Sequence, residues 1–258
     1  MRVALVHGFT QTAASWRPVA DVLSDSFEVR TVELPGHGER AAESATSFEA
    51  AATELGDLGG EAAYVGYSMG GRLVLRLALD RPDLVRAAVL IGASPGIDDP
   101  TERSRRRDAD AELADTLERI GTEAFLEAWL ALPLFDTLPS DAAGLAERAD
   151  NDAEALARTL RVLGTGSQEP VWKRLADLAP PTLLIAGARD QKFAVLAGLM
   201  SDATGAHVIP ALVDDAGHAV HLERPDLAAG LIADFLTAVD TGHDPTTNPA
   251  ATSTDHRI

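Results

Sequence analysis

Gly66-Tyr67-Ser68-Met69-Gly70-Gly71 follows a short apolar run, Ala62-Ala63-Tyr64-Val65, and precedes Arg72-Leu73-Val74-Leu75-Arg76-Leu77-Ala78-Leu79, whose spacing is helical. A serine between glycines, where a strand turns into a helix, reads as a nucleophile elbow. Such a turn forces the serine into a strained backbone conformation, and bulkier neighbours would clash there. The hydroxyl then stands at the sheet edge, beside the free N–H groups of the new helix. Taken alone, the motif also fits an ordinary glycine-rich strand-to-helix turn, so the rest of the chain decides between the two.

Working outward, strand-like runs recur at Arg2–Val6, Phe27–Glu33, Ala62–Tyr67, Val85–Ile91, Thr182–Ala186 and His207–Ile209. Between them, Ala14–Leu23, Phe48–Leu58, Gly70–Asp80, Phe193–Met200 and Pro225–Val239 have helical spacing, the last opened by proline in its first turn. This alternation predicts an α/β fold, a mostly parallel sheet with helices on both faces. From about Gly96 to Trp172 the rhythm breaks into charged, alanine-rich helical pattern punctuated by Pro133, Pro139 and Gly144. The expected organisation is a discontinuous core, residues 1–95 and 178–239, with a helical cap over 96–177 and a disordered tail over 240–258. A cap so placed covers the carboxyl ends of the strands, where open α/β sheets bind ligands.

The 258 residues are 46% hydrophobic, enough for one substantial core. No apolar run approaches the roughly 20 residues that span a bilayer, and Met1 to Gly8 turns to loop too soon for a signal peptide. The expectation is a cytoplasmic protein. With no cysteine there is no disulfide, thiolate metal site or cysteine nucleophile; no metal or cofactor is expected. A net charge of -18 argues against nucleic acid or an anionic membrane as partner. Lys173 and Lys192 are the only lysines, so basic charge is nearly all arginine. The acidic surface serves solubility or adaptation to high salt; only in the second case does stability rise with salt.

A serine hydroxyl is a poor nucleophile or base until a histidine can take its proton, and the histidine needs an acid to fix its tautomer. Both follow the elbow in the order Ser, Asp, His. Asp190 closes Gly187-Ala188-Arg189-Asp190 at a strand's carboxyl end, and His218 lies in Ala216-Gly217-His218 on the same edge. Asp214 and Asp215 compete as acids, but adjacent loop acids are usually solvated, and the strand-end position favours Asp190. His221 fits packing or hydrogen bonding at the helix entry, and His37, in Leu34-Pro35-Gly36-His37-Gly38, fits ordering of a turn. His7-Gly8-Phe9 closes the first strand. It is a plain turn or half of an oxyanion hole, the Phe9 N–H pairing with that of Met69. The elbow, acid, histidine and loop together specify the α/β-hydrolase fold.

Longer segments narrow the reading. They are His7-Gly8-Phe9-Thr10 with Ser15-Trp16, Leu34-Pro35-Gly36-His37-Gly38, the elbow with Arg72, Ser94-Pro95-Gly96-Ile97, the arginine run Arg103 to Arg107 leading to Asp110, and Trp129-Leu130-Ala131-Leu132-Pro133-Leu134-Phe135. Gly164-Thr165-Gly166-Ser167-Gln168 with Trp172, Gly187 to Phe193 and Ala216 to Glu223 complete the set. In these the chain, up to about Val239, resembles the 2-succinyl-6-hydroxy-2,4-cyclohexadiene-1-carboxylate synthases of menaquinone biosynthesis. It departs from many relatives of that fold in opening strands that are absent or shortened and in an extra hydrophilic tail.

The resemblance implies a lyase that eliminates pyruvate from 2-succinyl-5-enolpyruvyl-6-hydroxy-3-cyclohexene-1-carboxylate. Ser68, His218 and Asp190 would act as a base unit without an acyl-enzyme, and Phe9 and Met69 would hold the charge that develops on oxygen. It also implies that Arg72, Arg106 or Arg107, and Arg148 bind carboxylates of this small polycarboxylate partner, and that Tyr67, Trp129 and Phe135 line the pocket. Core packing competes for the last two, and solvated helix pairing for the run, where Arg103 and Arg105 are read as surface. Forked arginine contacts suit a substrate with three carboxylates in so acidic a protein. The rival readings are an esterase or carbon–carbon bond hydrolase with Ser68 as covalent nucleophile, and a non-catalytic binding member of the fold.

Overall fold

The computed structural model describes residues 1–205 and 207–243. Six parallel strands, β1 (Arg2–Val6), β2 (Glu28–Val32), β3 (Ala62–Tyr67), β4 (Val85–Ile91), β5 (Thr182–Gly187) and β6 (Val208–Val213), form one sheet in the order β2-β1-β3-β4-β5-β6. Helices α1 (Arg17–Leu23), α2 (Phe48–Gly59) and α3 (Met69–Asp80) connect the first four strands. Between β4 and β5 lie α4 (Pro100–Ile120), α5 (Thr122–Leu130), α6 (Leu145–Ala149) and α7 (Ala153–Leu163), with no strand among the described residues. Helices α8 (Gln191–Thr204), α9 (Val220–Glu223) and α10 (Pro225–Asp240) follow.

Strand periodicity sorts the core into two layers. Val3, Leu5, Ala63, Val65 and Tyr67 face one layer with Trp16, Val19, Ile232 and Leu236 of the α1 and α10 side. Ala4, Val6, Ala62 and Tyr64 face the other, with Phe48, Leu55, Leu73 and Leu77 from α2 and α3. A smaller cluster, Ala114, Leu117, Phe125, Leu156 and Leu160, joins α4, α5 and α7. Local signals set the helix ends. Ser47 Oγ accepts Ala50 N–H at 3.0 Å to open α2, and Asp99 Oδ1 accepts Thr101 and Glu102 N–H at 2.9 and 2.8 Å to open α4. Gly121, at φ 79, ends α4.

Two elements exceed their sequence limits by several residues, others by one. β6 continues past Pro210 to Val213 because it is an edge strand, where a proline is tolerated. α8 starts at Gln191, since the Asp190 carboxylate caps it. The disordered tail expected from residue 240 is corrected at its start: Asp240 ends α10, and Thr241 Oγ1 donates to Thr237 O at 2.7 Å. Residues 244–258 of that expectation lie outside the described residues. No helix of the described residues is long and apolar enough to cross a membrane.

Candidate active site

Ser68 sits between β3 and α3 at φ 49, ψ -107, a left-handed-side conformation that costs a non-glycine residue about 1–3 kcal/mol. Its N–H donates to Ile91 O at 2.8 Å, tying the elbow to β4. The glycines make the turn possible. A Cβ on Gly66 would lie 2.6 Å from the Gly70 carbonyl, and one on Gly71 would lie 2.8 Å from Gly66 O.

His218 Nε2 is 3.2 Å from Ser68 Oγ, and His218 Nδ1 is 2.8 Å from Asp190 Oδ2. The other carboxylate oxygen of Asp190 accepts Phe193 N–H at 3.3 Å. Glu223 fixes the histidine loop from behind, accepting Gly217 N–H at 2.7 Å and Ala219 N–H at 2.9 Å. The imidazole is packed by Phe193, centroids 4.5 Å apart, and by Tyr67 at 5.3 Å. Gly92, at φ 56, leaves it room: a Cβ there would lie 2.8 Å from His218 Cε1. Asp214 and Asp215 are exposed, and Asp215 pairs with Arg189 at 2.5 Å.

Gly8 to Gln11 forms a turn closed by Gln11 N–H on Gly8 O at 3.2 Å, and Gly8 N–H donates to Gln11 Oε1 at 3.0 Å. Neither Phe9 N–H nor Met69 N–H has a backbone partner among the described residues, and both residues border the same cavity as Ser68 and His218. Two free donors beside a serine–histidine–aspartate set can stabilise charge that develops on a substrate oxygen.

That cavity has about 150 Å³ of free space. Arg72, Arg106 and Lys192 bring three cations to it, against apolar walls that include Leu134, Leu160, Leu163 and Phe193. Arg72 is buried, donating to Leu163 O at 2.6 Å and Gln168 Oε1 at 3.1 Å rather than to a carboxylate. Burial, and then the nearby Arg106, push its pKa down to about 10, which leaves it charged at neutral pH. Arg106 Nε is held by Asp110 Oδ1 at 2.7 Å. Asp110 is buried and also accepts Gly166 N–H at 3.0 Å.

Other expected pocket residues lie elsewhere. Arg107 is exposed and donates to Gly166 O at 3.2 Å, so of the two it is Arg106 that borders the cavity. Arg148 is buried beside a different cavity, of about 410 Å³, where burial pushes its pKa down to about 10. Strand alternation turns Tyr67 to the opposite layer, against His221 at 4.2 Å and behind the cavity wall, and burial pushes its phenol pKa up. Trp129 and Phe135 also stand behind the wall. Trp129 packs on Phe9 at 5.4 Å and on Phe135 at 5.9 Å. His221 and His37 are buried and take the packing and turn-ordering places read for them: His221 lies 4.6 Å from the Trp16 ring, and His37 Nδ1 is 3.2 Å from Pro35 O.

Sequence reasoning missed Lys192, Gly92 and Ser94 as cavity residues and Glu223 as the brace of the histidine loop. The lysine alone carried a signal, as one of two in the chain and two residues past Asp190.

A profile described as the alpha/beta hydrolase family matches residues 3–231. A Bacillus subtilis (strain 168) protein, provisionally named 2-succinyl-6-hydroxy-2,4-cyclohexadiene-1-carboxylate synthase, is 33% identical over 253 residues, covering 92% of this chain and 90% of its own. The synthase of that name from Enterobacter sp. (strain 638) is 29% identical over 91% of each chain. The solved structure of MenH from S. aureus superposes with a TM-score of 0.86 at 29% identity, across 93% of this chain and 94% of that one. The chain belongs to the α/β-hydrolase family and, within it, to the 2-succinyl-6-hydroxy-2,4-cyclohexadiene-1-carboxylate synthases.

Proposed function

We propose that this chain is a carbon–oxygen lyase of menaquinone biosynthesis. It eliminates pyruvate from 2-succinyl-5-enolpyruvyl-6-hydroxy-3-cyclohexene-1-carboxylate to give 2-succinyl-6-hydroxy-2,4-cyclohexadiene-1-carboxylate. The observation that carries this reading is the company kept by Ser68: with His218, which Asp190 holds from behind, it shares one small cavity with Arg72, Arg106 and Lys192 in a protein of net charge -18. Three cations there match a substrate with three carboxylates. Arg72, a buried cation with no carboxylate partner, is the strongest of the anchors.

In the reaction His218 Nε2 draws the proton from Ser68 Oγ, and the oxygen removes a ring proton. Those electrons form a ring double bond to the neighbouring carbon, the existing ring double bond shifts along by one position, and the carbon–oxygen bond to the enolpyruvyl group breaks. The departing enolate takes up a proton and tautomerises to pyruvate. Negative charge passes through the conjugated succinyl carbonyl oxygen, where Phe9 and Met69 N–H receive it; losing one such donor costs about 2.7–4 kcal/mol of barrier. Asp190 holds the histidine tautomer and stabilises the imidazolium. Residues 96–177 act as a cap over this site, supplying Arg106 and the Leu160–Thr165 wall. The reaction is placed in the cytoplasm.

A second reading has an observation of its own: the same donors and a partly exposed Ser68 also suit acyl transfer. A coupled pyruvate assay with the enolpyruvyl substrate separates the two. The lyase releases pyruvate and turns over activated esters feebly; a burst with stable acyl-serine and no pyruvate assigns the hydrolase. Ser68→Ala abolishes pyruvate release, by about 10⁴-fold or more, and retained elimination would mean another base.

A further inference from the structure

Thr10 has φ 66, a left-handed conformation that a β-branched residue takes only when its surroundings enforce it. It fills the third position of the Gly8–Gln11 turn, where glycine or asparagine is usual, and it is fully buried. Two side chains from the segment between β4 and β5 reach across to hold it. Asn151 Nδ2 donates to Thr10 O at 3.0 Å, and Arg148 Nη1 donates to Thr10 Oγ1.

Both holders are themselves fixed. Asn151 Nδ2 also donates to Arg148 O at 3.1 Å, and its Oδ1 accepts Gly38 N–H at 2.9 Å. Arg148 Nε donates to Ala143 O at 2.7 Å. Each is only 3% exposed, and neither contact of the Arg148 guanidinium is a carboxylate. At the other end of the turn, Gln11 Oε1 holds Gly8 N–H at 3.0 Å. Phe9 lies between these two anchors, bordering the cavity with no backbone partner for its N–H.

We propose that Asn151 and Arg148 are positioning residues, which clamp Thr10 in its left-handed turn and so aim the Phe9 N–H at the developing oxyanion. This rests on the reading of Phe9 as an oxyanion donor, and it gives Arg148 a role other than the carboxylate contact its sequence position suggested. Released from the clamp, Thr10 relaxes toward negative φ and the adjoining peptides swing. Displacing a catalytic group by about 1 Å costs on the order of 10²-fold in rate.

The test compares Asn151→Asp, Arg148→Met and the double variant Thr10→Gly/Asn151→Asp. Asn151→Asp keeps the shape and the Gly38 contact but cannot donate to Thr10. Two readouts are taken on each: steady-state pyruvate release, and the rate at which a fluorophosphonate labels Ser68. Thermal melts confirm folding. Both single variants lower kcat about 10- to 100-fold with little change in KM and slow labelling in parallel. The double variant recovers most of the loss, because glycine takes positive φ without help. Two results overturn the clamp: Arg148→Met raising KM while kcat holds, or a double variant no better than Asn151→Asp. Wild-type protein that is labelled yet releases no pyruvate sinks the lyase reading instead, and the labelling rates still judge the clamp.

Discussion

The sheet and the helical segment between Ile91 and Thr182 are held in place by different forces. Every residue of β3 and β5 is buried, and side chains alternate into two apolar layers. In contrast α4, at 21 residues, buries only Asp110, Ala114 and Leu117. Besides the small α4–α5–α7 cluster and Leu163, Val171, Leu175 and Leu178, which join the main core, named polar contacts shape and seat this segment: Asp110 on Gly166 N–H and Trp172 Nε1 on Gly96 O at 2.9 Å within it, and Asn151 on Thr10 and Gly38 across to the core. Apolar packing is non-directional and spread over many residues. Hydrogen bonds are few and directional, so one substitution can tilt a side chain without unfolding anything. The sheet therefore governs whether the site exists, and the segment governs how well it is aimed.

Substitutions can break or sharpen that division. Arg72 lies on the sheet side but reaches into the segment through Leu163 O and Gln168. Arg72→Ala lowers kcat/KM about 10²-fold in the pyruvate assay, as losing a partner for a desolvated charge costs about 2–5 kcal/mol; normal kinetics would remove its carboxylate role. Leu5 is fully buried in β1. Leu5→Ala lowers stability by about 2–5 kcal/mol in denaturant unfolding, while kcat per folded molecule stays close to wild type.

Asp110→Asn should do the reverse, cutting activity about 10-fold by loosening Arg106, whose half-exposed side chain makes the ion pair worth only about 0.2–1 kcal/mol of stability. Its chemical denaturation midpoint barely moves. A large stability loss there would erase the contrast between the two regions.

The smallest effect is in pH. Burial, reinforced by His7 for His37 and by Arg148 for His221, holds both histidines well below the ordinary value of 6.5. The unfolded chain gains protons on them below that value and the folded chain does not. Stability is therefore fully present above 6.5 and is lost as pH falls toward the folded pKa values. Thermal midpoints should fall from about pH 7 to about pH 5, with His221→Phe flattening the slope.

The same contrast decides what was legible in the sequence. Buried strands write themselves as apolar runs, and the largely exposed β2 as β-branched residues, so all six are legible, and the elbow, acid and histidine follow from strand ends. β6 was cut short because Pro210 reads as a terminator unless the strand is known to lie at an edge. In the segment the helical pattern was visible but its facing was not. A run such as Arg105-Arg106-Arg107 has no apolar stripe to set its phase, and Asp110 settles it by gripping Arg106. Tyr67 was misplaced for a different reason. A residue adjacent to Ser68 in sequence points into the α1 and α10 layer, where it packs on His221 rather than bordering the cavity. Nothing local announced Asn151, because its partners Thr10 and Gly38 are remote in the chain.

The Asp190 carboxylate serves two masters, His218 through one oxygen and the first turn of α8 through the other. Asparagine caps a helix about as well as aspartate does. A lineage that abandoned the chemistry would still be held by selection to a short polar residue here, though not to its charge. An aspartate at this position is thus weak testimony to catalysis when read alone. The negative charge is the part that only function demands, and a homologue carrying asparagine in its place would mark the point where a descendant kept the architecture and gave up the reaction.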